Sequence, residues 1–163
     1  CDTDFIGTDG PGGGRFETPA SLARAVAAAW PATGSRDRLV VCTGGEPLLQ
    51  LDDILIDALH VMGFRVAVET NGTIAAPAGP DWICVSPKST APLAQETGDE
   101  LKLVYPQADA PPERFAALGF RHFFLQPMDG PARESATEAA VAYCKAHPQW
   151  RLSLQTHKLI GIP

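Results

Sequence analysis

The chain has 163 residues, a formal charge of −6, 45% hydrophobic and 20% charged residues, which is the composition of one globular domain with a sizeable core. Its 13 Lys and Arg are scattered, with no basic run to follow a phosphate backbone, so nucleic acid is excluded as the expected partner and small molecules are favoured. No apolar run nears the roughly 18 residues of a bilayer span, and no charged segment followed by an apolar one opens the chain, so a cytoplasmic location without membrane contact is the default.

The first segment, 2–17, is rich in Gly, Asp and Thr and reads as a long functional loop. Thr18-Pro19 then marks a helix start, with Leu22, Val26 and Trp30 on one face and Pro31 as the stop. A short apolar strand over 39–42 runs into Thr43-Gly44-Gly45-Glu46-Pro47, which turns the chain into a helix carrying Ile54, Leu55, Leu59 and Met62 and capped at Gly63. Further strands are predicted over 64–68, 82–85, 101–104, 120–125 and 151–154, with helices over 113–118 and 134–146. The ending Lys158-Leu159-Ile160-Gly161-Ile162-Pro163 is apolar and is expected to fold back on the body.

Continuous apolar strands alternating with helices indicate a parallel sheet covered by helices, an α/β fold. Six candidate strands point to an incomplete barrel, and an open doubly wound sheet fits the same alternation. The four cysteines, Cys1, Cys42, Cys84 and Cys144, share no short interval and form neither a disulfide framework nor a zinc pair. Cys42, Cys84 and Cys144 read as buried small hydrophobes. Cys1 stands first, with no initiator Met, and residues upstream of it are expected.

Nearly every predicted strand is followed by polar or small residues. Thr43-Gly44-Gly45-Glu46 follows the first, Glu69-Thr70-Asn71-Gly72 the second, Ser86-Pro87-Lys88 the third, Gln126-Pro127-Met128-Asp129 the fifth and Gln155-Thr156-His157-Lys158 the last. Parallel strands carry their C-terminal ends to one face, where β/α barrels and open α/β sheets place ligands. Two glycines permit close backbone approach and leave amide donors open, while Glu46 offers an acceptor to an amino group, a combination suited to an amino acid. For a Gly-Gly pair alone an ordinary turn is the better reading; five polar strand ends together reverse that balance. Lys102 lies within the fourth strand and divides evenly between an outward and a site role. His60, His122 and His147 read as surface or satisfied core histidines, and Met128, Phe123 and Phe124 as packing.

These segments resemble the radical S-adenosylmethionine (SAM) superfamily, and within it the 7-carboxy-7-deazaguanine synthase (QueE) family. Cys1-Asp2-Thr3 is similar to the end of the cluster motif, Thr43-Gly44-Gly45-Glu46-Pro47 to the GGE motif. Glu69-Thr70-Asn71-Gly72, Ser86-Pro87-Lys88, Gln126-Pro127-Met128 and Thr156-His157-Lys158 resemble QueE segments in the same order. The resemblance implies a partial (β/α) barrel of mostly parallel strands. Residues 1–163 would form a single radical SAM domain that lacks its N-terminal strand and first two cluster cysteines. It implies a lyase that converts 6-carboxy-5,6,7,8-tetrahydropterin to 7-carboxy-7-deazaguanine with loss of ammonia, using a 4Fe-4S cluster, SAM and Mg²⁺. Cys1 would ligate the cluster and Thr3 the Mg²⁺. Gly44, Gly45 and Glu46 would hold the methionine end of SAM, with Ser86, Lys88, Gln126, Thr70 and Asn71 completing its pocket. Thr43, His157 and the Pro163 carboxylate would face the pterin. A flavodoxin-type electron donor and a homodimer are implied as partners. The alternatives are another radical SAM enzyme such as an activase, which the ending 155–163 argues against, and a non-catalytic α/β ligand-binding module.

Overall fold

The computed structural model describes residues 13–31, 37–88 and 90–161. Its strands are β1 (Arg38–Cys42), β2 (Phe64–Thr70), β3 (Trp82–Val85), β4 (Thr97–Tyr105), β5 (Gly119–Pro127) and β6 (Trp150–Leu152), and its helices are α1 (Pro19–Ala29), α2 (Asp53–Val61), α3 (Arg133–Ala146) and α4 (Thr156–Ile160). The sheet order is β1-β2-β3-β4-β5-β6, and each pairing whose register is defined is parallel. A doubly wound sheet requires the order to reverse at a switch point. The strictly sequential order therefore decides between the two predicted architectures in favour of the barrel type. By its contacts the chain divides into two compact units, one comprising the described residues up to Thr70 together with Ala75–Ile83, the other Asn71–Ile74 with the residues from Cys84 onward.

In the first unit α1 begins as the sequence predicts. The Thr18 hydroxyl accepts from Ser21 N–H at 3.1 Å and the Ser21 hydroxyl accepts from Thr18 N–H at 3.2 Å, a reciprocal cap with Pro19 as the first helical residue. Trp30, just past the helix, sets its ring edge-on to Phe64 with centroids 5.7 Å apart. Ile56 and Leu59 of α2 and Phe64, Val66 and Val68 of β2 are buried, each such side chain contributing about 1.5–3 kcal/mol by leaving water. The helix expected directly after the Gly-Gly turn is interrupted. Pro47–Leu49 form a single 3-10 turn, and α2 starts only after Asp52, whose carboxylate accepts from Leu55 N–H at 2.8 Å. That capping bond needs Asp52 outside the helix, which is why the two segments do not fuse. The start of β3 is tied to β2 by Asp81, whose Oδ2 accepts from Val66 N–H at 2.7 Å and lies 2.9 Å from His60 Nε2.

In the second unit β4 and β5 run in register from Thr97↔Gly119 to Tyr105↔Pro127; β4 begins four residues before its predicted start, whereas β5 begins one residue early and runs two residues past its predicted end. Leu101, Leu103, Phe123 and Leu125 are buried, and their face meets α3 through Trp150: the Phe123 and Trp150 rings are 5.2 Å apart and the Tyr143 and Trp150 rings 6.4 Å. Small residues at Ala136 and Ala140 let α3 approach β5 and β6. The helix predicted over 113–118 is only the 3-10 turn Pro112–Arg114, because the chain must already be extended at Gly119 to pair with Thr97. Of the three cysteines expected to be buried, Cys84 is; Cys42 and Cys144 are half-buried. Met128, expected to pack, is 41% exposed.

Candidate functional site

The first unit brings two of the predicted segments together. After β1, Thr43 is exposed, Gly44 takes φ = 117°, and a side-chain carbon built on Gly44 or Gly45 would meet nothing within 4 Å. The left-handed φ explains a glycine at position 44, and the open space leaves the turn's backbone approachable. Glu46 then caps the 3-10 turn, its Oε1 accepting from Leu48 N–H at 3.1 Å. The same oxygen accepts from the Thr70 hydroxyl at 2.7 Å. Thr70 ends β2 at 2% exposure and is the only polar or charged side chain so buried among the described residues. Two bonds on Oε1 fix the carboxylate plane, so Glu46 is held as a directed acceptor rather than a loose surface anion.

The second unit carries the remaining described candidates. Asn71 is half-buried and its Oδ1 accepts from Thr73 N–H at 2.8 Å, closing a tight Asx turn. Gly72 follows with φ = 81°, and a side-chain carbon there would fall 2.7 Å from Val85 and 2.8 Å from Leu93. Its carbonyl accepts from both Ala94 and Gln95 N–H, at 2.8 and 3.1 Å. After β3, Lys88 Nζ donates to Ser86 Oγ at 3.0 Å across the buried Pro87. Gln126 lies half-buried on β5, and Lys102, opposite Phe124, lies half-buried on β4. Both are flanked in sequence by buried residues, so they belong to the sheet face turned away from α3. His157 is exposed on α4. Cys1, Thr3 and Pro163 lie outside the described residues.

Two residues with defined roles in this geometry have no assignment in the sequence reading. Lys158 Nζ donates to Asp129 Oδ2 at 2.5 Å, joining α4 to the turn after β5. This bond, followed by Gly130 N–H, holds the Asp129 carboxyl below the usual carboxylate range. The positions of both residues at strand ends were visible in the sequence; their pairing across 29 residues was not.

No family model matches the chain. It is 68% identical over 163 residues to a 7-carboxy-7-deazaguanine synthase from Caulobacter vibrioides, spanning 100% of this chain and 77% of that protein. A 7-carboxy-7-deazaguanine synthase from Bordetella pertussis is 67% identical over the same span, again with 77% of that protein covered. The crystal structure of QueE from Escherichia coli superposes with a TM-score of 0.67 at 31% identity, over 85% of this chain and 63% of that one. The chain belongs to the 7-carboxy-7-deazaguanine synthase family. The synthase fold and enzyme class implied by the sequence resemblance are thereby established, and the readings as an activase or a non-catalytic module fall away.

Among the synthase's described cysteines, burial pushes the Cys42 and Cys144 thiols up from the ordinary thiol value. Among the described residues no group of three or more His, Cys, Asp or Glu stands ready for a metal. Within these synthase elements, a directed carboxylate beside an open glycine backbone fits the charged end of an amino acid.

Proposed function

We propose that this enzyme converts 6-carboxy-5,6,7,8-tetrahydropterin to 7-carboxy-7-deazaguanine with loss of ammonia, as one radical SAM domain. The observation that carries the residue assignment is the Thr70–Glu46 bond. It presents a fixed carboxylate acceptor beside the open Gly44-Gly45 turn, the acceptor and amide donors that a zwitterionic amino-acid group requires. Gly44, Gly45 and Glu46 hold the methionine end of SAM, and Thr70 keeps the Glu46 carboxylate aimed. Ser86, Lys88, Gln126 and Asn71 serve the same cofactor, Lys88 carrying a cation steadied by the Ser86 hydroxyl. Thr43 and His157 serve the pterin, with the Pro163 carboxylate as a third contact.

A 4Fe-4S cluster with SAM, when bound, supplies the one-electron chemistry that starts the reaction. Cys1 is its ligand in this chain and Thr3 the ligand to Mg²⁺, roles supported by the Cys1-Asp2-Thr3 motif. A flavodoxin-type electron donor, assembly as a homodimer and a cytoplasmic location complete the proposal, on the support of the family resemblance. Among the described residues no helix is long and apolar enough to cross a membrane.

The test is anaerobic reconstitution of the full-length protein, iron and sulfide analysis, then incubation with SAM, a reductant and the tetrahydropterin. Formation of 7-carboxy-7-deazaguanine with release of ammonia is expected. A protein that retains iron and sulfide yet leaves the pterin unchanged would sink the proposal.

A further inference from the structure

α4 is five residues long, too short to persist without support from the body of the protein. It ends at Gly161, with φ = 69°, and leaves Leu159 and Ile160 at 58% and 63% exposure. Lys158 docks it by donating to Asp129, while the largely exposed Leu159 borders a cavity of about 180 Å³ together with Pro127, Arg133, Thr137 and Leu154. Asp129 is itself set by its place in the chain: Met128 N–H donates to the Tyr105 carbonyl at 2.7 Å, which anchors the turn leaving β5.

Neighbouring residues on a helix point about 100° apart. A helix rotated so that Lys158 reaches Asp129 therefore has the direction of His157 decided as well. Open space beside Leu159 leaves rotation about the short axis free; an ion pair at 2.5 Å with a backbone-supported carboxylate does not.

We propose that Asp129 is a positioning residue, which through its ion pair with Lys158 fixes the rotation of α4 and so aims His157 at the pterin. This rests on the assignment of His157 to the substrate. The ion pair is partly exposed, with side chains 25% and 39% accessible, so its effect is on geometry rather than on global stability.

The experiment uses the full-length, cluster-loaded protein and titrates 6-carboxypterin, an aromatic analogue of the substrate, by its fluorescence, alongside steady-state kinetics. Asp129→Asn is expected to weaken analogue binding and raise KM by about three- to tenfold, with kcat at saturation changed by less than about twofold and SAM affinity unchanged. Asp129→Glu, and the reciprocal swap of Asp129→Lys with Lys158→Asp, restore most of the loss. His157→Ala weakens analogue binding at least as much, and Asp129→Asn added to it has little further effect. If His157→Ala binds the analogue weakly while Asp129→Asn binds it normally, the positioning role is overturned and the His157 assignment stands. If His157→Ala binds normally, the assignment itself fails and the inference with it. Should Asp129→Asn not fold, the swap decides, since a folded swap variant with unrestored pterin affinity overturns the proposal.

Discussion

The hydroxyl of Thr70, at the end of β2, donates to Glu46 Oε1 over 2.7 Å and so links two strand ends that are 24 residues apart in sequence. Thr70→Val keeps the shape and removes the donor. The expected result is a SAM dissociation constant raised by about three- to tenfold, with a stability loss of about 1 kcal/mol, from one buried hydrogen bond. Isothermal titration of SAM beside a urea melt measures both; unchanged SAM affinity would show that Glu46 needs no help from Thr70.

Gly72 combines a left-handed φ of 81° with a space in which an added carbon would lie 2.7 Å from Val85 and 2.8 Å from Leu93. Gly72→Ala is therefore expected to destabilise by about 1–3 kcal/mol, strain and overpacking acting together. Urea denaturation reads the change, and a neutral variant would mean that the loop relaxes around the methyl group.

The Asp81 carboxyl lies below its usual range chiefly because Val66 N–H donates to it, with His60 helping. A depressed folded-state value contributes stability that is present above the unfolded value of about 3.9 and is lost as pH falls through the folded one. Urea midpoints of the native protein should fall on acidification below about pH 4, while Asp81→Asn starts lower at neutral pH and shows a flatter acid limb. Parallel pH profiles for the two proteins would refute the assignment.

At the alkaline end, burial together with the hydrogen bond to Glu113 pushes the Tyr143 phenol up to about 12. Its contribution is complete below the unfolded value of about 10 and disappears as pH rises toward the folded value. Absorbance titration at the phenolate band should show a late step for Tyr143, and Tyr143→Phe should remove it. A late step that survives Tyr143→Phe, or no late step in the native protein, would contradict this.

Much of the architecture was legible because its elements are written in local terms. Thr18-Pro19 caps α1 as read, and the apolar runs of β1, β2 and β3 lie where they were expected. What failed was non-local or depended on a competing local bond. Asp52 breaks the helix after the Gly-Gly turn by taking Leu55 N–H, and Gly119 truncates the predicted helix over 113–118 by pairing with Thr97. Lys102 could not be placed from sequence, since its side depends on the register that sets it opposite Phe124. At the candidate site the motif residues were legible as strand ends. The orienting partners were not, because neither Thr70 toward Glu46 nor Asp129 toward Lys158 is implied by any spacing in the chain.

The unbroken succession of strands from β1 to β6 also bears on how the protein is made. During synthesis each emerging strand meets a template laid down just before it, so assembly advances in the same direction as translation and waits for no late-arriving partner. The cost is a raw, adhesive margin at whichever strand was made last, which moves along the sheet with the nascent chain.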